Sequence, residues 1–595
     1  MALELNQTAL LVDAFRPPPG MELDVAIGAT FTLDLTALLA IPTASWSASD
    51  RGSPDASADI LETIRLYASR TMLFCQAGAI SVPRKYQNAH TLIDQTVVEV
   101  RKPNNGIFHP KFWALRFAGQ GRTFHRVALL SRNLTFDRAL DLIVTLDEDP
   151  EAEAIVSTDS FVHVLRSLPR FSARKMAPRQ KRMLRDLAHT LDTATLKAPS
   201  PFTGGRIVAL SPGRKERPFH EDCDNALAIS PFLTAKATAD FTHTARAWAG
   251  VVSRRSSLES VAPELEHVQL LSVIDDLPNA QESVDWQDAP AARAGSDLQD
   301  VAARGLHAKL YLQDVGGSST WWLGSANLTS SAFTRNHETL VELTGPKTKV
   351  GVDAVLFGKA PRSLSSVTED FLADDDSSNH PQDFELTEFE GIAFELASRK
   401  AQVVVTPNGP NYDLTFDLGS DELPHEVTIE ARPLSRTRLL VPLQAGGATW
   451  SALPLSAVTP FVVLRLHRGP LFRDVLIRAD LHGDPPHRSA SVIAGAIASK
   501  EDFLRYLAAL LGYEDPHGPG DGGDRAAYGS TWGDAASDDR LLENLMISAA
   551  RNPERLNTLQ ETLDLLAAGR NSDAVPPEFL PVWGTVRSVV AGRRA

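Results

Sequence analysis

Leu306-His307-Ala308-Lys309, followed by Gly324-Ser325-Ala326-Asn327-Leu328-Thr329, is one of two near-copies in this chain. The other is Phe108-His109-Pro110-Lys111, followed by Leu130-Ser131-Arg132-Asn133-Leu134-Thr135. One copy of this pattern supplies an imidazole, an ammonium and an amide. Two copies facing each other place two of each around one phosphate. In a strand, residues two apart share a face, so His109 projects with Lys111 and His307 with Lys309.

The flanks of the two copies repeat as well. Leu23, Val25 and Ile27 alternate before an apolar stretch at 33–39, and Ala226 to Phe232 opens the second half in a similar way. Each reads as a buried strand running into a helix. Short apolar strands follow at Met72–Cys75 and Val268–Ile274. The aromatic-rich runs after Lys111 and Lys309 favour strands. Return strands at Val127–Leu130 and Trp321–Leu323 then deliver the Ser-x-Asn turns. Strands alternating with helices imply an α/β half-domain used twice, over 1–200 and 201–350. Residues 351–392 turn acidic and Ser-rich, notably at Asp374-Asp375-Asp376, and read as a linker. Period-two alternation over 393–482 predicts a β-rich module. From 483 to 595 the pattern is helical, with a flexible Gly/Asp-rich segment at 513–539. Leu556, Leu559, Leu563 and Leu566 have the spacing of a buried helix face.

At 595 residues the chain exceeds one core. Its 43% hydrophobic and 22% charged residues are ordinary for a globular protein. No apolar run approaches the ~18 to 20 residues that span a bilayer, so membrane insertion is not expected. The first residues lack a basic region ahead of their apolar ones, and Cys75 and Cys223 fit no metal spacing. The expectation is a cytoplasmic protein with buried, reduced thiols. A net charge of −15 argues against nucleic acid, but its distribution is uneven. Arg101, Lys102, Lys111, Arg116, Arg122, Arg126, Arg132 and Arg138 lie in one stretch with Asp137 as its only acid. A second basic cluster runs from Arg166 to Arg185. Basic surroundings for the His-Lys motifs suit a polyanion.

A phosphodiester resists attack because its anionic oxygens repel nucleophiles. Lysine ammonium groups offset that charge, and asparagine amides donate hydrogen bonds that strengthen in the transition state. One imidazole attacks phosphorus; the other protonates the leaving oxygen and then activates water. A carboxylate on the far ring nitrogen fixes the imidazole tautomer. Glu338 is the candidate after the second Asn-Leu-Thr, and Asp141 holds a similar place after the first. His125 and His337, with no Lys two residues on, read as structural. Trp321 and Trp322 read as a base-stacking pair or as core. Asp314 and Glu342 also fit plain ion-pair roles.

These residues resemble the signature of the phospholipase D superfamily: His-x-Lys, four residues, Asp, then Gly-Ser-x-Asn. The second copy matches throughout, with His307, Lys309, Asp314, Gly324, Ser325 and Asn327, and with Glu338 in an Asn336-His337-Glu338 context. In the first, Arg116 replaces the aspartate and Leu130 the glycine. The resemblance covers roughly residues 20–350. It implies two mixed β-sheets flanked by helices, motifs meeting at the interface, and catalysis without a metal or other cofactor. It further implies His109 as nucleophile and His307 as acid, with Lys111, Lys309, Asn133, Asn327 and Glu338 catalytic. Ser131, Ser325 and Arg116 are then expected on substrate phosphate, with Asp141 and Asp314 in support. A nuclease or DNA-processing phosphodiesterase is the leading expectation, with a bacterial restriction or anti-phage role and a protein partner for the C-terminal modules implied by resemblance. The alternatives are a phospholipase or phosphatidyltransferase, and a catalytically weak nucleic-acid-binding subunit.

Overall fold

The computed structural model describes residues 11–44, 57–103, 106–136, 138–212, 218–274, 304–358, 364–366, 368–372, 384–419, 422–469, 471–511, 545–546, 553–569 and 571–592. Asp374–Asp376 and the Gly/Asp-rich segment at 513–539 lie outside them, as does most of the helix expected at 541–550.

Two mixed sheets repeat one six-strand plan. In the first, the order is Val97–Val100, Thr71–Gln76, Glu22–Thr30, Phe112–Gly119, Arg122–Leu130, Ile143–Asp147. The first three strands run parallel and the rest pair antiparallel. The second sheet repeats this with Leu270–Val273, Ala245–Ser253, Cys223–Ile229, Leu310–Val315, Ser318–Gly324 and Glu338–Pro346. Its outer strands extend it to ten. Central strands are apolar for most of their length because both faces are covered: Thr71–Gln76 is buried throughout.

The α/β expectation therefore stands, with two sheets of mixed strands flanked by helices. The division at residue 200 falls inside a sheet. Ile155–Ser157 and Leu196–Lys197 precede that point yet belong to the second sheet. The helices Asp159–Phe171 and Pro178–Leu191 bury Phe161, Leu165, Leu168, Leu184, Leu187 and Leu191 in the core shared by the two sheets. That spacing is a one-sided helical stripe.

The region after 350 is more tightly joined than a linker and appended modules imply. Val352 and Val355 enter the core between the sheets, and Phe384–Ser398 packs Phe389, Ala393 and Leu396 into the β-rich core. That core lies between two four-stranded sheets. The helices Arg488–Ala494, Lys500–Leu511, Pro553–Ala568 and Phe579–Gly592 share a core with the first half, where Phe503, Tyr506 and Leu507 meet Leu61 and Ile64 of the helix Ala58–Arg70. The leucines at 556, 559, 563 and 566 are buried there. The physical reason is complementary apolar faces: the helix Ala58–Arg70 presents one outward from its sheet, and the C-terminal helices cover it. An ionic chain centred on the buried Arg488 adds to the joint. Arg488 bridges Asp94 of the first half (Nη1 to Oδ2, 2.8 Å) and Asp484 (Nη2 to Oδ2, 2.9 Å).

Leu507→Ala should therefore cost about 2–5 kcal/mol in urea unfolding. Hydrogen exchange should also quicken in the helix Ala58–Arg70. Unchanged exchange there would contradict a core shared between the C-terminal helices and the first half.

Candidate active site

Both motifs sit where the duplicated sheets meet. His109 and Lys111 lead into the strand Phe112–Gly119, and His307 and Lys309 into Leu310–Val315. The antiparallel neighbour returns each time to the Ser-x-Asn turn. Leu130 N–H donates to Lys111 O (3.0 Å), as Gly324 N–H does to Lys309 O (3.4 Å). A Cβ on Gly324 would stand 2.2 Å from Thr339 O, which is why the second copy needs glycine. Leu130 keeps the same backbone bond while packing against the first core.

The halves are laced across the interface. Arg138–Leu140 pairs parallel with Arg304–Leu306. His109 N–H donates to His337 O (3.0 Å), and His307 N–H to Leu140 O (2.9 Å). Lys309 Nζ donates to Ser131 O at 2.9 Å, tying the second lysine to the first Ser-x-Asn turn. His109, Lys111, Asn133, His307, Lys309, Asn327 and Glu338 are thus brought to one interface, and all are buried.

Glu338 crosses to the other half. Its carboxylate lies 2.8 and 2.9 Å from His109 Nδ1. It accepts from Ser325 Oγ (2.5 Å) and Asn336 Nδ2 (3.3 Å) on its own side. An Nδ1–H bound to carboxylate leaves the Nε2 lone pair of His109 available for attack. Burial pushes the His109 pKa below its ordinary value of 6.5; Glu338 opposes this, while Lys111 and Lys309 reinforce it. The imidazole is therefore neutral near pH 7, the form in which a ring nitrogen can act as a nucleophile.

Asp141 holds the position equivalent to Glu338. Leu142 N–H donates to Ser131 Oγ (2.8 Å), matching Thr339 N–H to Ser325 Oγ (2.9 Å). The Asp141 carboxylate lies 3.4 Å from Arg132 Nε. The asparagines also differ. Asn133 Oδ1 accepts from Phe31 N–H and Thr32 N–H, both at 3.3 Å, which anchors the carboxamide by its oxygen. In the second half Pro231, which has no N–H, stands where Phe31 does, and Asn327 Oδ1 has no hydrogen-bond partner among the described residues.

Arg116 does not join the other motif residues at the interface. It lies five residues beyond Lys111, donates through Nε to Asp24 Oδ2 (2.6 Å), and reaches Thr190 of the helix Pro178–Leu191 with Nη1 (3.2 Å). The strand carries it away from the motif toward the hairpin tip at Gly119–Arg122, so it serves packing. Its counterpart Asp314 has that role in the second half, holding Asn225 Nδ2 (3.0 Å), Val352 N–H (3.3 Å) and Lys347 (3.5 Å). Ser131 and Ser325 also depart from the phosphate-binding expectation. Both are fully buried, and their hydroxyls bond to Leu142 N–H, Thr339 N–H and Glu338. Trp321 and Trp322 are core, their indole N–H groups given to Val350 O and Glu342. His125 is held between Glu148 and Thr190.

Two residues with no local sequence signal complete the frame. Gln76 Oε1 accepts from Phe108 N–H (2.8 Å), next to His109. Arg254 Nη2 donates to Leu306 O (2.7 Å), next to His307. Each follows or closes the strand parallel to the central one, so the two occupy equivalent places.

Glu338→Gln should lower kcat by about 10–100-fold through loss of the oriented imidazole. Arg116→Ala should lower the melting temperature with KM unchanged. A raised KM with unchanged stability would return Arg116 to the substrate.

No model of a known protein family matches the chain, and no curated protein sequence does. Solved structures do show similarity. Yeast tyrosyl-DNA phosphodiesterase is 12% identical with a TM-score of 0.33, over 59% of this chain and 93% of that one. Phosphatidylserine synthase from Haemophilus influenzae is 9% identical at a TM-score of 0.34, over 65% and 91%. Polyphosphate kinase from Porphyromonas gingivalis is 9% identical at 0.30, over 65% and 51%. Scores this low add nothing to the site's chemistry, which stands on the duplicated motifs and their pairing across the sheets.

Proposed function

We propose that this chain is a phosphodiesterase of the phospholipase D type that cleaves nucleic acid, with DNA the foremost substrate. The observation that carries the reading is the charge at the interface. Two lysine side chains, each 1% exposed, are buried at the interface that holds His109 and His307. Buried ammonium groups call for anionic partners. A phosphate anion between the histidines is one such partner.

The reaction runs in two displacements. His109 Nε2 attacks phosphorus, the P–O bond to the leaving group breaks, and the departing oxygen takes a proton from His307. The Glu338 carboxylate stabilises the positive charge that forms on the His109 ring. His307, now neutral, removes a proton from water, which attacks phosphorus and breaks the P–N bond. Lys111 and Lys309 hold the non-bridging oxygens throughout, with Asn133 and Asn327 donating to them. Two histidines perform the acid, base and nucleophile roles, so the scheme needs no metal. Nucleic acid is favoured over lipid by exposed cations on the helix Pro178–Leu191, where Arg179, Lys181, Arg182 and Arg185 face outward. Among the described residues no helix is long and apolar enough to cross a membrane.

The test offers single- and double-stranded DNA, RNA and phosphatidylcholine vesicles, with EDTA present, to the native protein and to His109→Ala and His307→Ala. DNA cleavage that persists in EDTA and disappears in both variants is expected. Preferential vesicle hydrolysis would move the substrate to lipid, and cleavage abolished by EDTA would remove the two-histidine scheme. Neutral His109 is the attacking form, so kcat/KM should rise with pH through a pKa below 6.5. Glu338→Gln should move that limb lower still, because Glu338 raises the His109 pKa. A limb at or above 6.5 in the native protein would contradict an attacking His109.

A further inference from the structure

A cleft rich in cations lies along the outer strand of the first sheet. After Phe171 the chain runs beside the edge strand Val97–Val100. Ala173 N–H donates to Glu99 O (2.7 Å) and Arg101 N–H to Phe171 O (2.9 Å). The resulting cleft is lined by Glu99, Arg174, Lys175 and Gln180, and by Arg478 from the C-terminal β-rich region. Arg174 is deeply buried, its side chain 6% exposed. Its Nη1 pairs with Glu99 Oε2, while Nε and Nη2 have no hydrogen-bond partner among the described residues. Those two donors form the parallel fork that grips a carboxylate or phosphate. Arg478 gives its backbone N–H to Glu99 Oε2 (2.9 Å) and its Nε to Asp94 O (2.5 Å). Three cations therefore border the cleft against the single carboxylate of Glu99.

We infer that this cleft binds a phosphomonoester dianion, through Arg174, Lys175 and Arg478. The residues that line the cleft carry more cations than carboxylates, which suits an anion. Glu99 stays paired with Arg174 and with the Arg478 N–H, so the dianion meets the guanidinium groups rather than the carboxylate. The cleft has a volume of about 20 Å³, room for one water-sized group. One phosphate oxygen seats there and the rest stays at the mouth. The cleft is linked to the catalytic centre through Phe171, whose ring stands 4.6 Å from that of His337, the residue before Glu338. It also assigns a task to the β-rich region, which contributes Arg478. The same chemistry has two sources: the terminal phosphate of a nucleic-acid strand, or free phosphate. Binding at the cleft stands apart from the proposed reaction; only the strand-end source rests on it.

The test uses the full chain carrying Lys111→Met and Lys309→Met, which mutes phosphate binding at the catalytic centre. Calorimetry then measures inorganic phosphate, a 5′-phosphorylated oligonucleotide and its 5′-hydroxyl counterpart. Lys175→Glu, at an exposed position, and Arg174→Gln are added in turn; Lys175→Glu keeps the test valid if Arg174→Gln unfolds. At least tenfold tighter binding of the phosphorylated end, lost on Lys175→Glu, supports the strand-end source. Binding of inorganic phosphate with no preference between the oligonucleotides, again lost on Lys175→Glu, supports free phosphate. No phosphate binding, or binding indifferent to both substitutions, overturns the assignment and leaves the cleft to water. On bis(p-nitrophenyl) phosphate, Lys175→Glu alone should leave turnover unchanged. Absence of any phosphodiester turnover would sink the proposed reaction while the calorimetry still reports on the cleft.

Discussion

The contact between His109 Nδ1 and the Glu338 carboxylate organises this protein. It joins two residues 229 apart in sequence and spans both halves of a duplicated fold. Neither half holds a complete site. The first supplies the imidazole, and the second supplies the carboxylate that orients it, itself held by Ser325 and Asn336. Around this contact the strand pairing of Arg138–Leu140 with Arg304–Leu306 and the Lys309–Ser131 bond fix how the sheets meet. Sheets with a core between them hold the short segments that carry these groups, as positioning of functional side chains requires.

The two halves are equal in plan and unequal in detail. Asp141 stands where Glu338 does, but its carboxylate lies beside Arg132. Asn133 is anchored by two backbone N–H groups, whereas Pro231 removes one of the equivalent donors from Asn327. Gln76 and Arg254 fill the same place with a neutral and a charged side chain. These differences make the surroundings of the two histidines unequal: His109 has the Glu338 carboxylate on Nδ1 and a ring that burial holds neutral. Arg116 for aspartate, the plainest departure in sequence, lies outside this chemistry. Charge is inverted at a packing position and answered by Asp24.

Much of this is legible in the chain because a repeat states its own importance. His-x-Lys places two groups on one strand face, and Ser-x-Asn marks the turn that returns to them; both are local patterns. The α/β alternation and the leucine spacing near 556–566 are local too. What escapes is what depends on distant pairing. Glu338 could be picked out as a tautomer-fixing carboxylate, but its crossing to His109 is a property of the interface. Ser131 and Ser325 read as phosphate ligands until their hydroxyls are seen bonded inward. The stretch at 351–392 reads as a linker because its composition is acidic, yet Val352, Val355 and Phe389 enter cores that no window around them reveals. The basic run from Arg101 to Arg138 is dense in sequence, but a hairpin carries Arg116 and Arg126 into ion pairs with Asp24 and Asp147.

The central claim is that His109 is the group that attacks phosphorus. It is tested most directly by rapid alkaline quench of the protein with a labelled DNA substrate, followed by mass spectrometry of its peptides. A covalent phosphoryl adduct on His109 of the native protein, trapped before the second displacement, is the predicted result. An adduct on His307 instead, or product formed with no adduct on either histidine, would contradict it.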